Sequence, residues 1–179
     1  MFNKIRFLSI CLLTTLFFSG CGQDSLPEEG QEETGEWPTG QNVFVAGFEN
    51  IQDEKPVARL WKNGKMEKLT NGNNSSRAYT VYVSGDDVYA AGVEDNKARL
   101  WKNGIVQNIA DDKDAIVFFS VFVSNGDVYT SGYVTVEGKT EGNLLIPGYL
   151  KATLWRNGKK LNLTTEGKNN SQAMSIFVK

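Results

Sequence analysis

The 179-residue chain contains no histidine, only two cysteines (Cys11 and Cys21) and only four prolines. Without histidine, neither a Ser-His-Asp nor a Cys-His arrangement can be assembled, because both need an imidazole to carry the proton. Zinc is disfavoured for a related reason, since its sites are built mainly from His and Cys. No cysteine follows position 21, so residues 22–179 can form no disulfide among themselves. A basic stripe is absent too: residues 41–179 are close to neutral, which argues against nucleic-acid binding. Beyond the N-terminal apolar run no amphipathic helix period is visible. No catalytic residue, no metal ligand and no cofactor are therefore expected.

The N-terminus carries the first positive signal. Lys4 and Arg6 precede an apolar run from Phe7 to Phe18, and Ser19-Gly20-Cys21 follows. A basic start, about a dozen apolar residues and small residues at a cut site mark a secretory signal, too short to span a bilayer. Phe18-Ser19-Gly20-Cys21 resembles the lipobox of bacterial lipoproteins, with Phe18 where leucine is usual. The resemblance implies residues 1–20 as signal peptide, cleavage before Cys21, and lipid attachment at Cys21 that holds the protein to a membrane. The alternative is an ordinary secreted protein with Cys21 beside the cut by chance. A lone thiol in an exported protein usually has a purpose, and two or three acyl chains on one residue anchor stably where one does not. Residues 21–40 then hold six acidic side chains and no basic one. Such a composition cannot offset chain entropy by burial and is expected to form a disordered tether. Acidic residues just after a lipid cysteine are similar to signals that send some Bacteroidetes lipoproteins to the cell surface. The expected location is the cell envelope at the outer membrane, with the periplasmic and the external face both open.

The remaining 139 residues, 41–179, are enough for one domain, and they repeat. ARLWKNGK at 58–65 returns as ARLWKNGI at 98–105 and as ATLWRNGK at 152–159, placing Trp61, Trp101 and Trp155 at spacings of 40 and 54. Val81-Tyr82-Val83-Ser84 returns as Val121-Phe122-Val123-Ser124 and as Ile176-Phe177-Val178, and Asp87-Val88-Tyr89 as Asp127-Val128-Tyr129. A period near 40 residues marks an array of supersecondary units. Each unit reads as four short strands; in the middle one these are Tyr79 to Val83, Asp87 to Gly92, Lys97 to Lys102 and Ile105 to Ile109. Asn-Gly at 63–64, 103–104 and 157–158 predicts a two-residue type I′ hairpin in every unit, which needs positive φ at both positions.

Phe118 to Val123 is apolar on both faces, as a strand in a sheet covered on both sides can be. Four-stranded sheets sandwiched between like neighbours are blades of a β-propeller, with the tryptophans filling the gaps between blades. The layout resembles the kelch type of blade, with Ala46-Gly47, Ala91-Gly92 and Ser131-Gly132 where kelch has two glycines, but the kelch tryptophan after the turn is missing. Residues 41–179 more closely resemble LWKNG-repeat propeller lipoproteins of Bacteroidetes. The expected fold is all-β: three four-stranded antiparallel repeat units in a small, open or incomplete propeller-like ring. The offset of the units would let the C-terminal strand Ser175 to Val178 complete the N-terminal blade. Three units are nonetheless fewer than the four to eight that usually close. An open array, pairing as a homo-oligomer, or a shortened relative of a longer propeller all stay open.

The loop between second and third strands is longest in the third unit, residues 133–154, and insertions on one face of stacked units are often functional. Tyr133 and Tyr149, with Leu144-Leu145-Ile146, are the candidate contact residues for a protein or a glycan; an extra hairpin packed on its own unit is the other reading. Carboxylate pairs are what glycosidases need, but Asp86-Asp87 and Asp127 fall in turns, where Asp is common for its own hydrogen bonds. Asp111-Asp112-Lys113-Asp114 lacks the glycine and distal glutamate of a calcium loop. The sequence therefore reads as a lipid-anchored, non-enzymatic binding or scaffolding module. A carboxylate-driven carbohydrate-active enzyme and a fragment without independent function are the alternatives.

Overall fold

β-Branched and aromatic runs separated by two-residue turns fold into antiparallel strands throughout. The computed structural model describes residues 35–52, 54–108, 115–163 and 169–179; the signal, Cys21, most of the tether and the acidic stretch 111–114 lie outside them. Residues 36–179 form one compact unit. Its strands are β1 (Phe44–Glu49), β2 (Val57–Lys62), β3 (Lys65–Lys68), β4 (Ser76–Ser84), β5 (Asp87–Glu94), β6 (Lys97–Lys102) and β7 (Ile105–Gln107). They continue with β8 (Ala115–Ser124), β9 (Asp127–Val136), β10 (Lys139–Glu141), β11 (Leu144–Ile146), β12 (Tyr149–Arg156) and β13 (Lys159–Asn162). No helix occurs among the described residues, so none there is long and apolar enough to cross a membrane.

Three sheets follow the three units: β1-β2-β3, then β4-β5-β6-β7, then β8-β9-β12-β13, with β10-β11 as a separate hairpin. The expectation of three four-stranded units therefore needs correction at the first, which has three strands. The C-terminal run is not hydrogen-bonded into that sheet, and no closed ring is seen among the described residues. Instead, the run lies on the third sheet as β4 lies on the first. The Ser76 amide donates to the Pro56 carbonyl at 2.8 Å, and that of Ser171 to the Leu150 carbonyl at 2.9 Å. The Ser76 hydroxyl accepts from the Ala58 amide at 2.9 Å, and the Ser171 hydroxyl from that of Ala152 at 3.0 Å. Tyr82, Phe122 and Phe177, which occupy one position of the repeat, form a ladder with ring centroids 4.6 Å and 5.1 Å apart.

The Asn-Gly turns are type I′, with φ of 49° and 75° at Asn63-Gly64, 50° and 77° at Asn103-Gly104, and 48° and 77° at Asn157-Gly158. Asparagine has a second task there. Its Oδ1 accepts from the amides of Val43, Val88 and Val128 at 2.8 Å each, clamping the turn to the neighbouring strand. Asp95-Asn96 makes a further turn with both φ positive, φ 52° and 57°, where the sequence suggests only a polar loop.

Burial explains the tryptophans. Trp101 is fully buried in a cluster with Ala58, Leu60 and Leu69 of the first sheet and Ala78 and Ala90 of its own. Trp155 is buried in the second cluster, where Tyr89, Ala91 and Leu100 of the second sheet meet Phe118, Val121 and Val134 of the third. Its ring meets Phe118 edge-on at 5.0 Å, a geometry that adds to the area buried. Each tryptophan thus fills the gap to the preceding sheet, as expected, while Trp61 of the first sheet is only half-buried.

The small-residue glycines serve close approach. A Cβ on Gly92 would lie 1.9 Å from the Arg77 carbonyl oxygen, and one on Gly132 equally close to that of Val117. In both places the first strand of the unit shifts register, between Ala78 and Thr80 and around Val117 and Phe118, and its backbone drops onto the glycine.

Candidate functional site

Between the second and third sheets a cleft of about 330 Å³ opens beside the Asn-Gly turn of the third unit. Tyr89, Leu100 and Lys102 of β5 and β6 form one wall, and Val128, Thr130 and Asn157 the other. Gln107 and Asn108 close one side. Strand alternation places these groups. Residues two apart share a face, so Leu100 and Lys102, or Val128 and Thr130, point the same way.

The polar wall has a defined electrostatic frame. Lys102 Nζ sits 2.7 Å from Asp87 Oδ2 and 5.4 Å from the centre of the Tyr89 ring. Asn103 Nδ2 donates to Asp87 Oδ1 at 2.9 Å. The hydrogen bond from Lys102, then that from Asn103, holds the Asp87 carboxyl below its ordinary value of 3.8, and the Lys102 ammonium is raised in return. Asp127 repeats the device in the next unit. Arg156 and Asn157 both donate to it and lower its pKa in that order. The Arg156 guanidinium lies 5.8 Å from the Tyr129 ring. Thr130 is buried with its hydroxyl unpartnered in the protein, as is that of Ser131. A buried hydroxyl without a partner costs free energy, and that of Thr130 belongs to a cleft-lining residue. The cleft therefore offers one cation held by Asp87, amide groups and an aromatic ring, with the Thr130 hydroxyl buried behind its wall. This set suits a small polar molecule rich in hydroxyls or carrying an anionic group.

The candidates chosen from sequence lie elsewhere. Tyr133 is on β9 opposite Ala152, and Tyr149 begins β12 opposite Val136. That three-residue offset puts them on opposite faces of the sheet, so they do not form one platform. Tyr133 instead joins Phe119 at 5.9 Å, and Phe119 joins Tyr79 at 5.6 Å, in an aromatic row. The long loop folds as the β10-β11 hairpin, with Gly142 at φ 60° in its turn and an ion pair between Lys139 and Glu141. Leu144 and Leu145 are exposed on it. Among the described residues no group of three or more His, Cys, Asp or Glu side chains could hold a metal ion. The cleft residues Lys102, Thr130 and Asn157 are not evident from sequence, because their shared place depends on how two sheets pack. Recurrence of Asn in every LWKNG stretch is the one available signal. No protein-family model, curated protein or solved structure matches the chain.

Proposed function

We propose that this protein is an exported, lipid-anchored binding module, tethered to the cell envelope through Cys21 and built as an incomplete propeller-like array. The cleft between its second and third sheets is the ligand site, for a small polar molecule such as the end of a glycan. The cleft carries this reading. Lys102, Gln107 and Asn157 line it together with the Tyr89 ring, the usual make-up of a polar ligand site. The exposed Leu144-Leu145 pair of the β10-β11 hairpin offers a second surface, suited to a protein partner.

Binding is favoured over turnover by the state of the carboxylates. A glycosidase needs one carboxyl kept neutral to protonate the leaving group. Asp87 and Asp127, the acids bonded to cleft-lining side chains, are shifted the opposite way by their hydrogen bonds with Lys102, Arg156 and the two asparagines. Titration of envelope saccharides against the full chain in detergent tests the reading. Gln107→Ala removes a cleft-lining amide, and Lys102→Ala removes the cation. Each is expected to weaken binding about tenfold, the worth of one lost hydrogen bond. Unchanged affinity in both variants would move the site away from the cleft.

A further inference from the structure

The two ends of the stack are complementary. At one end, the first sheet carries β1 as an edge strand: β1 pairs with β2, and no described strand pairs with its other side. Its counterparts in the repeat, β5 and β9, are each paired on that side by β4 and β8. Val45 of β1 is 45% exposed, whereas Ala90, which occupies the same position in β5, is 1% exposed. At the other end, residues 171–178 repeat the sequence of β4 and dock on the third sheet by the hydrogen bonds that β4 makes to the first. No described strand pairs with them. Phe177 is 77% exposed there, and Leu163 is 51% exposed, where its equivalent Leu69 is 6%.

Gly47 sharpens the match. Its equivalents Gly92 and Gly132 each receive the backbone of the preceding strand so closely that a Cβ would strike a carbonyl oxygen at 1.9 Å. A Cβ on Gly47 would meet only the Trp61 ring, at 3.1 Å, and no backbone. The glycine that admits a first strand is in place, and no described strand lies across it.

We propose that a second copy of this chain supplies that strand: residues 171–178 of one copy pair antiparallel with β1 of the other, and the exchange is reciprocal. The register follows from β4 and β5, whose pairs Ser76 with Glu94, Val81 with Ala90 and Tyr82 with Tyr89 become Ser171 with Glu49, Ile176 with Val45 and Phe177 with Phe44. The contact continues an interface that the chain already uses twice, between its first and second and its second and third sheets. Because the interface is head-to-tail, it gives a closed ring only if its rotation closes and a filament otherwise. Two copies bring six sheets, within the four to eight that closed rings contain. The proposal extends the incomplete-array reading above and is independent of the cleft.

The test uses the full chain in mild detergent with Cys11→Ser and Cys21→Ser, so that added thiols are the only ones. Two single variants, Val45→Cys and Ile176→Cys, are mixed and oxidised. A disulfide-linked pair of chains is expected from the mixture, and none when Ile105→Cys, on the opposite strand β7, replaces Val45→Cys. Light scattering is expected to give twice the mass of one chain. Gly47→Ala, whose side chain would collide with the incoming strand, is expected to give the single-chain mass with an unchanged circular dichroism spectrum. Phe177→Asp, on a side chain already exposed, provides the same readout should Gly47→Ala fail to fold. A folded monomer, an open-ended series of masses, or a Val45→Cys, Ile176→Cys double variant that closes within one chain would each overturn the proposal. A monomer that still bound saccharide would overturn it while leaving the cleft reading standing.

Discussion

Replacing each repeat tryptophan by alanine asks whether the sheets support one another. Trp101 and Trp155 have 0% and 1% of their surface exposed, each wedged between its own sheet and the preceding one. Truncating such a side chain removes its transfer free energy and leaves a cavity, together costing about 3–5 kcal/mol. That is a large share of the roughly 5–15 kcal/mol that holds a domain together. For a domain of this size, each kcal/mol lowers Tm by about 2–4 °C. Trp101→Ala and Trp155→Ala are therefore expected to lower Tm by roughly 6–20 °C. Trp61 occupies the same place in the repeat but is half-buried, so Trp61→Ala should cost about half as much in the isolated protomer. The assay is thermal unfolding of the full chain by circular dichroism, in dilute detergent solution where copies are apart. Equal, small losses at all three positions would refute the stacking argument, since identical sequence context would then outweigh the neighbouring sheet. If copies exchange strands, the loss at Trp61 should grow with protein concentration while the other two stay constant, because association stabilises only the form that it buries.

Three further outcomes are expected. Gly92→Ala and Gly132→Ala should each prevent a cooperative melt or cost about 3 kcal/mol or more, since a Cβ at 1.9 Å from a carbonyl oxygen must push the paired strands away from each other; a Tm within about 3 °C of the parent would contradict the close approach. Asp127 has its pKa lowered from 3.8 by Arg156 and Asn157, so it binds fewer protons folded than unfolded. Its contribution is complete above pH 3.8 and is lost as pH falls through the lowered value. Asp127→Asn should therefore melt lower than the parent near neutral pH, with the gap closing in acid; a gap that widened in acid would reverse the assignment. Finally, Cys21→Ala should move the protein from the membrane to the soluble or uncleaved-precursor fraction, with loss of acyl labelling, whereas unchanged labelling would sink the anchor.

How much of this is legible in the sequence depends on the range of the interaction. Asn-Gly between two apolar runs is local chemistry, and the three turns at 63–64, 103–104 and 157–158 form as expected, down to positive φ at both residues. Strand β6 is legible to the residue, and β4 begins three residues earlier than its aromatic run because Ser76 is held by the first sheet rather than by its own neighbours. The cleft is not legible. Lys102 and Thr130 stand 28 positions apart in the chain and line one cleft only because the second and third sheets pack together around Trp155. Tyr133 and Tyr149 fail as a pair for a related reason. Loop length suggests a shared surface, but strand register assigns them to opposite faces, and register is set by pairs such as Ala152 with Tyr133 far outside any local window.

The repeat also shows where sequence identity stops predicting environment. Leu69 and Leu163 follow nearly the same turn, yet one is buried and the other half exposed; Gly47 and Gly92 follow the same small residue, yet only one meets a backbone. For the leucines the difference is the next sheet along, and for the glycines it is the first strand of their own sheet; among the described residues the interior unit has both. A repeat protein can use one motif throughout only if its ends are treated differently, by polar capping or by closure. Here the ends keep the interior chemistry: Val45, Leu163 and Phe177 stay apolar, and Gly47 stays glycine. An array capped for solvent would gain from a charge at Val45, whereas a side chain at Gly47 would press on the Trp61 ring at 3.1 Å, so that glycine serves its own sheet as well as an incoming strand. The apolar Val45, Leu163 and Phe177 are what a surface built to receive another sheet requires.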